Sequence, residues 1–298
     1  MVDIAASVLA RLKNKAIETA RSNQLCLQLF CQEEFLRRVQ LSRYAENLIL
    51  KGGMLIYALS DFDSRATVDI DFLLRNVPNT PNTLKAVLEE IIATDTGNEY
   101  ITFEITKIEP IAIAKKYAGI GAAVVARIKN TRTAFGIDFG IGDVIVPKPE
   151  KRTIPTQLDD FEAPFVNAYS VETTVAEKLD AILSLMEYSS RMKDYFDVYY
   201  LAHRFDFDGQ TLRMAVTETL ANRNRNFSIE QFDQLISLGS DATMKRKWTA
   251  FLKKIKNTEP GFHDVLKTIG IFLREIVVAY DFDQEFAKSW NAANGRWV

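Results

Sequence analysis

The chain has 298 residues, 47% hydrophobic and 26% charged, which suits a soluble globular protein with room for two modest domains, each with its own core. A formal net charge of −2 excludes a surface coated in basic residues for indiscriminate nucleic-acid binding, though not a local patch. Apolar runs fall short of membrane-spanning length and no charged-then-apolar leader opens the chain, so a cytoplasmic protein with no membrane partner is expected.

Cys26 and Cys31 fall inside a helical pattern, where they serve as small apolar residues. His203 and His263 are far apart and no CxxC occurs, which argues against zinc. Apolar spacing predicts helices over 2–22 and 24–44, then a short buried strand at Leu48-Ile49-Leu50 leading into Lys51-Gly52-Gly53. Glycines there take backbone angles closed to other residues and let a phosphate approach the main chain. The helix predicted from Met54 to Leu59 would point its positive N-terminus at an anion.

Val68-Asp69-Ile70-Asp71-Phe72 alternates at a period of two, so as a strand it places both carboxylates on one face. Like charges held that close repel unless a divalent cation or a shared proton sits between them, and oxygen ligands suit Mg²⁺. Arg65 and Thr67 add a cation and a hydroxyl just upstream. Phosphate cradle, cation and paired carboxylates together describe a site for a metal-bound nucleoside triphosphate.

A loop at 76–81, a helix over 83–94 and strands over 100–109, 121–129 and 133–139 follow, giving a mixed sheet flanked by helices. Asp138, between Ile137 and Phe139, points away from its apolar neighbours as Asp69 and Asp71 do, and supplies a third carboxylate for two-metal phosphoryl chemistry. Asp143 lies past the strand as a turn residue. Neither a dinucleotide fingerprint nor a P-loop is present.

Prolines and charges from Val146 to Pro164 suggest a connection between domains, with the division placed at 1–160 and 161–298. The second half reads as helical. Ser170 caps a helix starting near Val171, a further helix runs through Arg191–Tyr199, and others are expected at about 211–223, 228–238, 241–256, 261–278 and 281–290. The densest basic cluster, Lys245 to Lys256, includes Trp248, an aromatic suited to stacking on a base or else part of a solvated helix face.

In order along the chain, KGG, RATVDIDF, GIDFG, VETTVAEKLDAI and RMKDYFDVYYL resemble the AbiEii nucleotidyltransferase toxins over roughly Lys51 to Leu201. The resemblance implies an α+β fold, a nucleotidyltransferase-like domain followed by an all-α domain. It implies addition of nucleotides to the 3′ end of tRNA, arrest of translation in abortive infection, and a cognate antitoxin encoded alongside. By the same resemblance Gly52 and Gly53 are the glycines of the nucleotidyltransferase loop, Asp69 and Asp71 the metal pair, and Lys51 and Arg65 further nucleotide-binding positions. Lys178 is the lysine that binds the triphosphate and Asp194 the acidic residue of a third motif. Met54 stands where nucleotidyltransferases outside the family carry serine, which shifts phosphate binding onto backbone amides, Arg65 and Lys178.

The third carboxylate is Asp138 or Asp194. A strand position favours Asp138 for the metal and leaves Asp194 as a base or an orienting residue. A plainer alternative pairs Lys178 with Asp194 as a surface ion pair of little worth. Tyr195, Phe196, Val198 and the tyrosines that follow have the spacing of core residues, and Asp197 supports Asp194 from the same helix face. Transfer to a small-molecule or protein hydroxyl, or non-catalytic binding of nucleotide or antitoxin, are the competing functions.

Overall fold

A computed structural model describes residues 3–60, 64–111 and 119–298, and the chain folds as two compact units, 1–142 with 150–168 and 143–149 with 169–298. Val2, where the first helix was expected to begin, lies outside the described residues. No described helix is long and apolar enough to cross a membrane.

The first unit is a seven-stranded mixed sheet with helices against it. Helices α1 (Ile4–Glu18) and α2 (Asn23–Leu41) start where Asp3 and Ser22 accept the backbone N–H groups of Ala6 and Leu25. Strand β1 (Leu48–Lys51), helix α3 (Gly52–Leu59), strand β2 (Asp69–Leu74) and helix α4 (Pro81–Ile92) follow. Strands β3 (Ile101–Ile111), β4 (Gly119–Ile128), β5 (Thr131–Gly140), β6 (Glu150–Thr153) and β7 (Phe165–Ala168) complete it. The strand order is β3-β4-β5-β2-β1-β7-β6, with β2 parallel to β5 and β1 parallel to β7.

Alternation along β2 and β5 sends Ile70, Phe72, Ile137 and Phe139 to one face, each no more than 2% exposed, with Phe72 and Phe139 stacked at 6.1 Å. Phe135 on that face meets Phe35 of α2 edge-to-face at 6.1 Å, so α2 covers the apolar side. The opposite face receives the acidic residues.

The stretch 146–164 is not wholly a linker. Its Glu150–Thr153 pairs with Phe165–Ala168 to finish the sheet, and β6 escapes a reading by hydrophobicity because an edge strand carries charge.

The second unit is mainly helical: α5 (Val171–Leu185), α6 (Met192–Arg204), α7 (Gly209–Asn222), α8 (Ile229–Ser237), α9 (Ala242–Lys254) and α10 (Phe262–Asp281). The Ser170 cap forms as expected, its hydroxyl accepting from the Thr173 N–H at 3.1 Å. The helix expected at 281–290 is absent. The chain there leaves α10 and forms a small sheet of β8 (Phe207–Asp208), β9 (Ser289–Asn291) and β10 (Arg296–Trp297), ordered β10-β9-β8. Phe286 and Trp290 imitate helical spacing, but Trp290 is drawn into a cluster with Phe272 at 4.8 Å and Trp297 at 5.4 Å. Its indole Nε1 donates to the Ala202 carbonyl at 2.7 Å, which satisfies the buried ring's one polar group.

Candidate functional site

Strand register in the first unit builds a row of residues across four strands. Lys51 on β1 is opposite Asp71 on β2, Asp71 is opposite Asp138 on β5, and Asp138 is opposite Gly121 on β4. Residues directly opposite in a sheet share a face, so Lys51, Asp71 and Asp138 stand side by side. One step along, Asp69 is opposite Gly136, whose N–H donates to Asp69 Oδ1 at 3.2 Å.

Glycine clears the space beside each of these carboxylates. A Cβ on Gly52 would lie 2.1 Å from Asp71 Oδ2, one on Gly136 2.6 Å from Asp69 Oδ1, and one on Gly121 3.1 Å from Asp138 Oδ1. Gly52 also has φ +69°, a conformation that L side chains rarely adopt. A Cβ on Gly53 would meet Thr67 Oγ1 at 3.0 Å and Arg65 Nη1 at 3.5 Å, so both of these side chains lie against the start of α3. That helix begins at Gly52, two residues before the expected Met54, and Lys51 provides no side-chain cap for its N–H groups. The structure thus brings together Lys51, Gly52, Gly53, Arg65, Thr67, Asp71 and Asp138, with Asp69 one row away. Among the described residues, no three His, Cys, Asp or Glu side chains converge into a metal cage of their own.

The second unit holds a different centre. Lys178 of α5 reaches Asp194 Oδ1 and Asp197 Oδ2 of α6, both at 2.8 Å. Arg191 Nε contacts Asp194 Oδ2 at 2.5 Å. Asp194 and Asp197 are fully buried and Lys178 is 9% exposed. Burial alone would raise the Asp194 pKa, but the Lys178 and Arg191 cations outweigh it and hold the carboxyl at about 2. The pairing of Lys178 with Asp194 is therefore no surface ion pair, and Asp197 serves as a second partner to the lysine. A three-residue spacing on one helix face was the signal for Asp197, while the part played by Arg191 went unread.

Sequence reasoning also missed Arg223, which caps the C-terminus of α7. It contacts Asp143 at 2.9 Å, Glu177 at 3.0 Å and Asp180 at 2.7 Å, which makes Asp143 part of a half-buried network as well as a residue past its strand. Tyr195 is buried against Phe262 at 5.3 Å, in keeping with a core role. Trp248 cannot stack on a base: it is 2% exposed and its Nε1 donates to the Pro260 carbonyl at 2.8 Å.

Two crystal structures from Helicobacter pylori resemble the chain at 15% identity and a TM-score of 0.46 each. That of JHP933 covers 85% of this chain and 94% of its own, and one described provisionally as a nucleotidyltransferase covers 86% and 98%. No curated protein matches. The family model described as "Nucleotidyl transferase AbiEii toxin, Type IV TA system" matches residues 34–275, a span that takes in both centres. The chain belongs to the AbiEii family of nucleotidyltransferase toxins, the toxin side of a type IV toxin–antitoxin system.

Proposed function

We propose that the protein transfers a nucleoside monophosphate from an NTP to RNA, at the 3′ acceptor end of tRNA, and thereby arrests translation as the toxin of an abortive-infection, phage-defence pair in the cytoplasm. Its family implies a cognate antitoxin. The observation that carries the reading is the row of Lys51, Asp71 and Asp138 with glycine clearing the space beside both carboxylates. Like charges in register repel, so a sheet that sets them side by side, with glycine where a side chain would crowd each carboxylate, suits a cationic ligand.

The residues fit Mg²⁺ as that ligand. The donors are all carboxylate oxygens, which suit an ion that takes one or two carboxylates and completes its shell from triphosphate and water. Asp71 and Asp138, with Asp69 beside them, are the residues assigned to hold it. Bound there, Mg²⁺ would neutralise charge developing at the α-phosphate and lower the pKa of the attacking hydroxyl.

The chain's own groups do the rest. Backbone N–H groups at the start of α3, with Arg65 and Thr67 against Gly53, bind phosphate oxygens. Lys51 offsets the repulsion between Asp71 and Asp138. The acceptor hydroxyl oxygen bonds to the α-phosphorus, the bond from that phosphorus to the β-bridging oxygen breaks, and the hydroxyl proton passes to solvent as pyrophosphate leaves. Lys178 is assigned to triphosphate charge. Asp194 becomes a positioning residue for Lys178, because a carboxylate held at about 2 is too weak a base at neutral pH to accept the hydroxyl proton.

The test incubates the purified protein with tRNA, Mg²⁺ and each labelled NTP in turn, with Asp71→Ala and Asp69→Ala beside it. Label on tRNA that depends on Asp71 is the expected result and names the nucleotide. Equal labelling by Asp71→Ala, or none with any NTP, overturns the reading.

A further inference from the structure

Helix α9 and the start of α10 enclose a groove of about 490 Å³ in the second unit, bordered by Lys245, Thr249 and Lys253 from successive turns of α9 and by Asn257 and His263 beyond them. Residues 242–267 hold seven Lys or Arg and two carboxylates, in a chain whose net charge is −2. Lys245, Lys253, Lys254 and Lys256 are exposed, and among the described residues none has a carboxylate within ion-pairing reach. Some surface cations elsewhere are matched, as Arg43 is by Glu90 and Arg274 by Asp233, but no other stretch gathers so many on one helix and the turn after it. Like charges gathered on one helix repel, and a polyanion laid along them relieves that repulsion while releasing its own counterions.

We propose that this groove binds the phosphodiester backbone of the acceptor RNA, a proposal that rests on the reading above that the acceptor is RNA. Its floor residues Trp248, Leu252 and Phe262 are no more than 5% exposed, so it offers no aromatic platform for bases. Around an apolar floor its border carries ammonium, amide, hydroxyl and imidazole groups, the set that contacts phosphate without reading sequence. Lys245 and Lys253, eight residues apart, lie about 12 Å from each other along the helix axis, a span that covers several phosphates of one strand.

The helices that border the groove pack on α6, which carries the carboxylates of the buried lysine centre. Trp248 and Phe251 pack on Phe196 at 6.4 and 5.8 Å, and Phe262 packs on Tyr195, the residue after Asp194. Lys247 Nζ donates to the carbonyls of Glu187 and Ser189 at 3.0 and 2.8 Å, which ties α9 to the turn ahead of Arg191. RNA held along α9 is thus held on a helix that packs against the one whose Asp194 positions Lys178.

The experiment measures binding of unfractionated tRNA to the full chain without NTP, across a salt series, for the wild type and for Lys245→Glu, Lys253→Glu and Lys254→Glu combined. These side chains are exposed, and NTP binding by titration calorimetry checks that the variant is folded. The expected result is tRNA affinity weaker by at least about tenfold, a salt slope smaller by about two to three, and NTP affinity unchanged. A variant that binds tRNA within about twofold of wild type overturns the groove, while wild-type labelling of tRNA still upholds the transfer reaction. A variant that keeps tRNA but escapes neutralisation by the antitoxin in cells assigns the groove to a protein partner and overturns the proposal. Wild type that binds no tRNA overturns both.

Discussion

The two charged centres are built by opposite means. In the first unit Asp71 and Asp138 stand in register on neighbouring strands, partly exposed, placed by backbone pairing and given room by Gly52 and Gly121. In the second, Asp194 and Asp197 are fully buried and placed by ion pairs to Lys178 and Arg191. On the proposed function, carboxylates of the first kind repel one another and are kept for what they bind. Those of the second kind are part of the structure and act through the lysine they hold. Substitution in the two places should therefore separate activity from stability.

The largest effect is expected at Asp71→Ala. Nucleotidyl transfer should fall by about a thousandfold or more, as when a group that acts in the transition state is removed. Thermal unfolding should stay within about 2 °C of wild type or rise, since one of two like charges has gone. A fall in melting temperature to match the lost activity would mean that Asp71 is structural.

Lys178→Ala should do both. It leaves Asp194 and Asp197 buried without their shared cation, and breaking a buried pair from one side costs about 3–5 kcal/mol in denaturant unfolding. If Lys178→Ala is as stable as wild type, the second centre is not held by its ion pairs and the contrast between the units fails.

The acid limb of the stability curve sharpens the same point. A carboxyl whose folded pKa is depressed stabilises the fold above its unfolded value, near 3.9, and loses that contribution as pH falls through about 2. Asp194 should supply about 2 kcal/mol between neutral pH and strong acid, visible as a steeper loss of stability below pH about 4 in wild type than in Asp194→Asn. Parallel curves would show that the charged form of Asp194 is not favoured by its surroundings.

Both centres were legible in the sequence to different depths. Alternation in Val68–Phe72 and Ile137–Phe139 is a local pattern, so the acidic face of the sheet could be read from it. That Asp71 meets Asp138 rather than a residue two places along is set by register, to which the apolar face and the connections contribute and which no single segment encodes. Nothing in the sequence marks the role of Gly121 or Gly136, because it lies in a carboxylate on the next strand. The pairing of Lys178 with Asp194 was legible as a possibility, but its energy was not. Burial decides between a surface pair worth almost nothing and a buried one worth several kcal/mol, and burial is tertiary. Strand β6 was lost to its charges, and Trp248 was misjudged because a basic run around an aromatic reads alike whether the ring faces water or the core.

The smallest effect tests the glycine clearance, and a matched control isolates it. Gly52 and Gly97 both have positive φ, +69° and +74°, so alanine at either carries the same backbone penalty of about 1 kcal/mol. A Cβ at Gly97 meets nothing within 4 Å, whereas one at Gly52 falls 2.1 Å from Asp71 Oδ2 and must push that carboxylate aside. Gly97→Ala should therefore lose about 1 kcal/mol by denaturant titration and keep wild-type transfer, because strain alone does not reach the carboxylate row. Gly52→Ala should show a similar loss of stability together with about a tenfold to hundredfold loss of transfer, since a displacement of about 1 Å at a group that positions substrate costs that much. Equal activity in the two variants would mean that Asp71 tolerates being moved, and that its close seat against Gly52 is not what the first centre depends on.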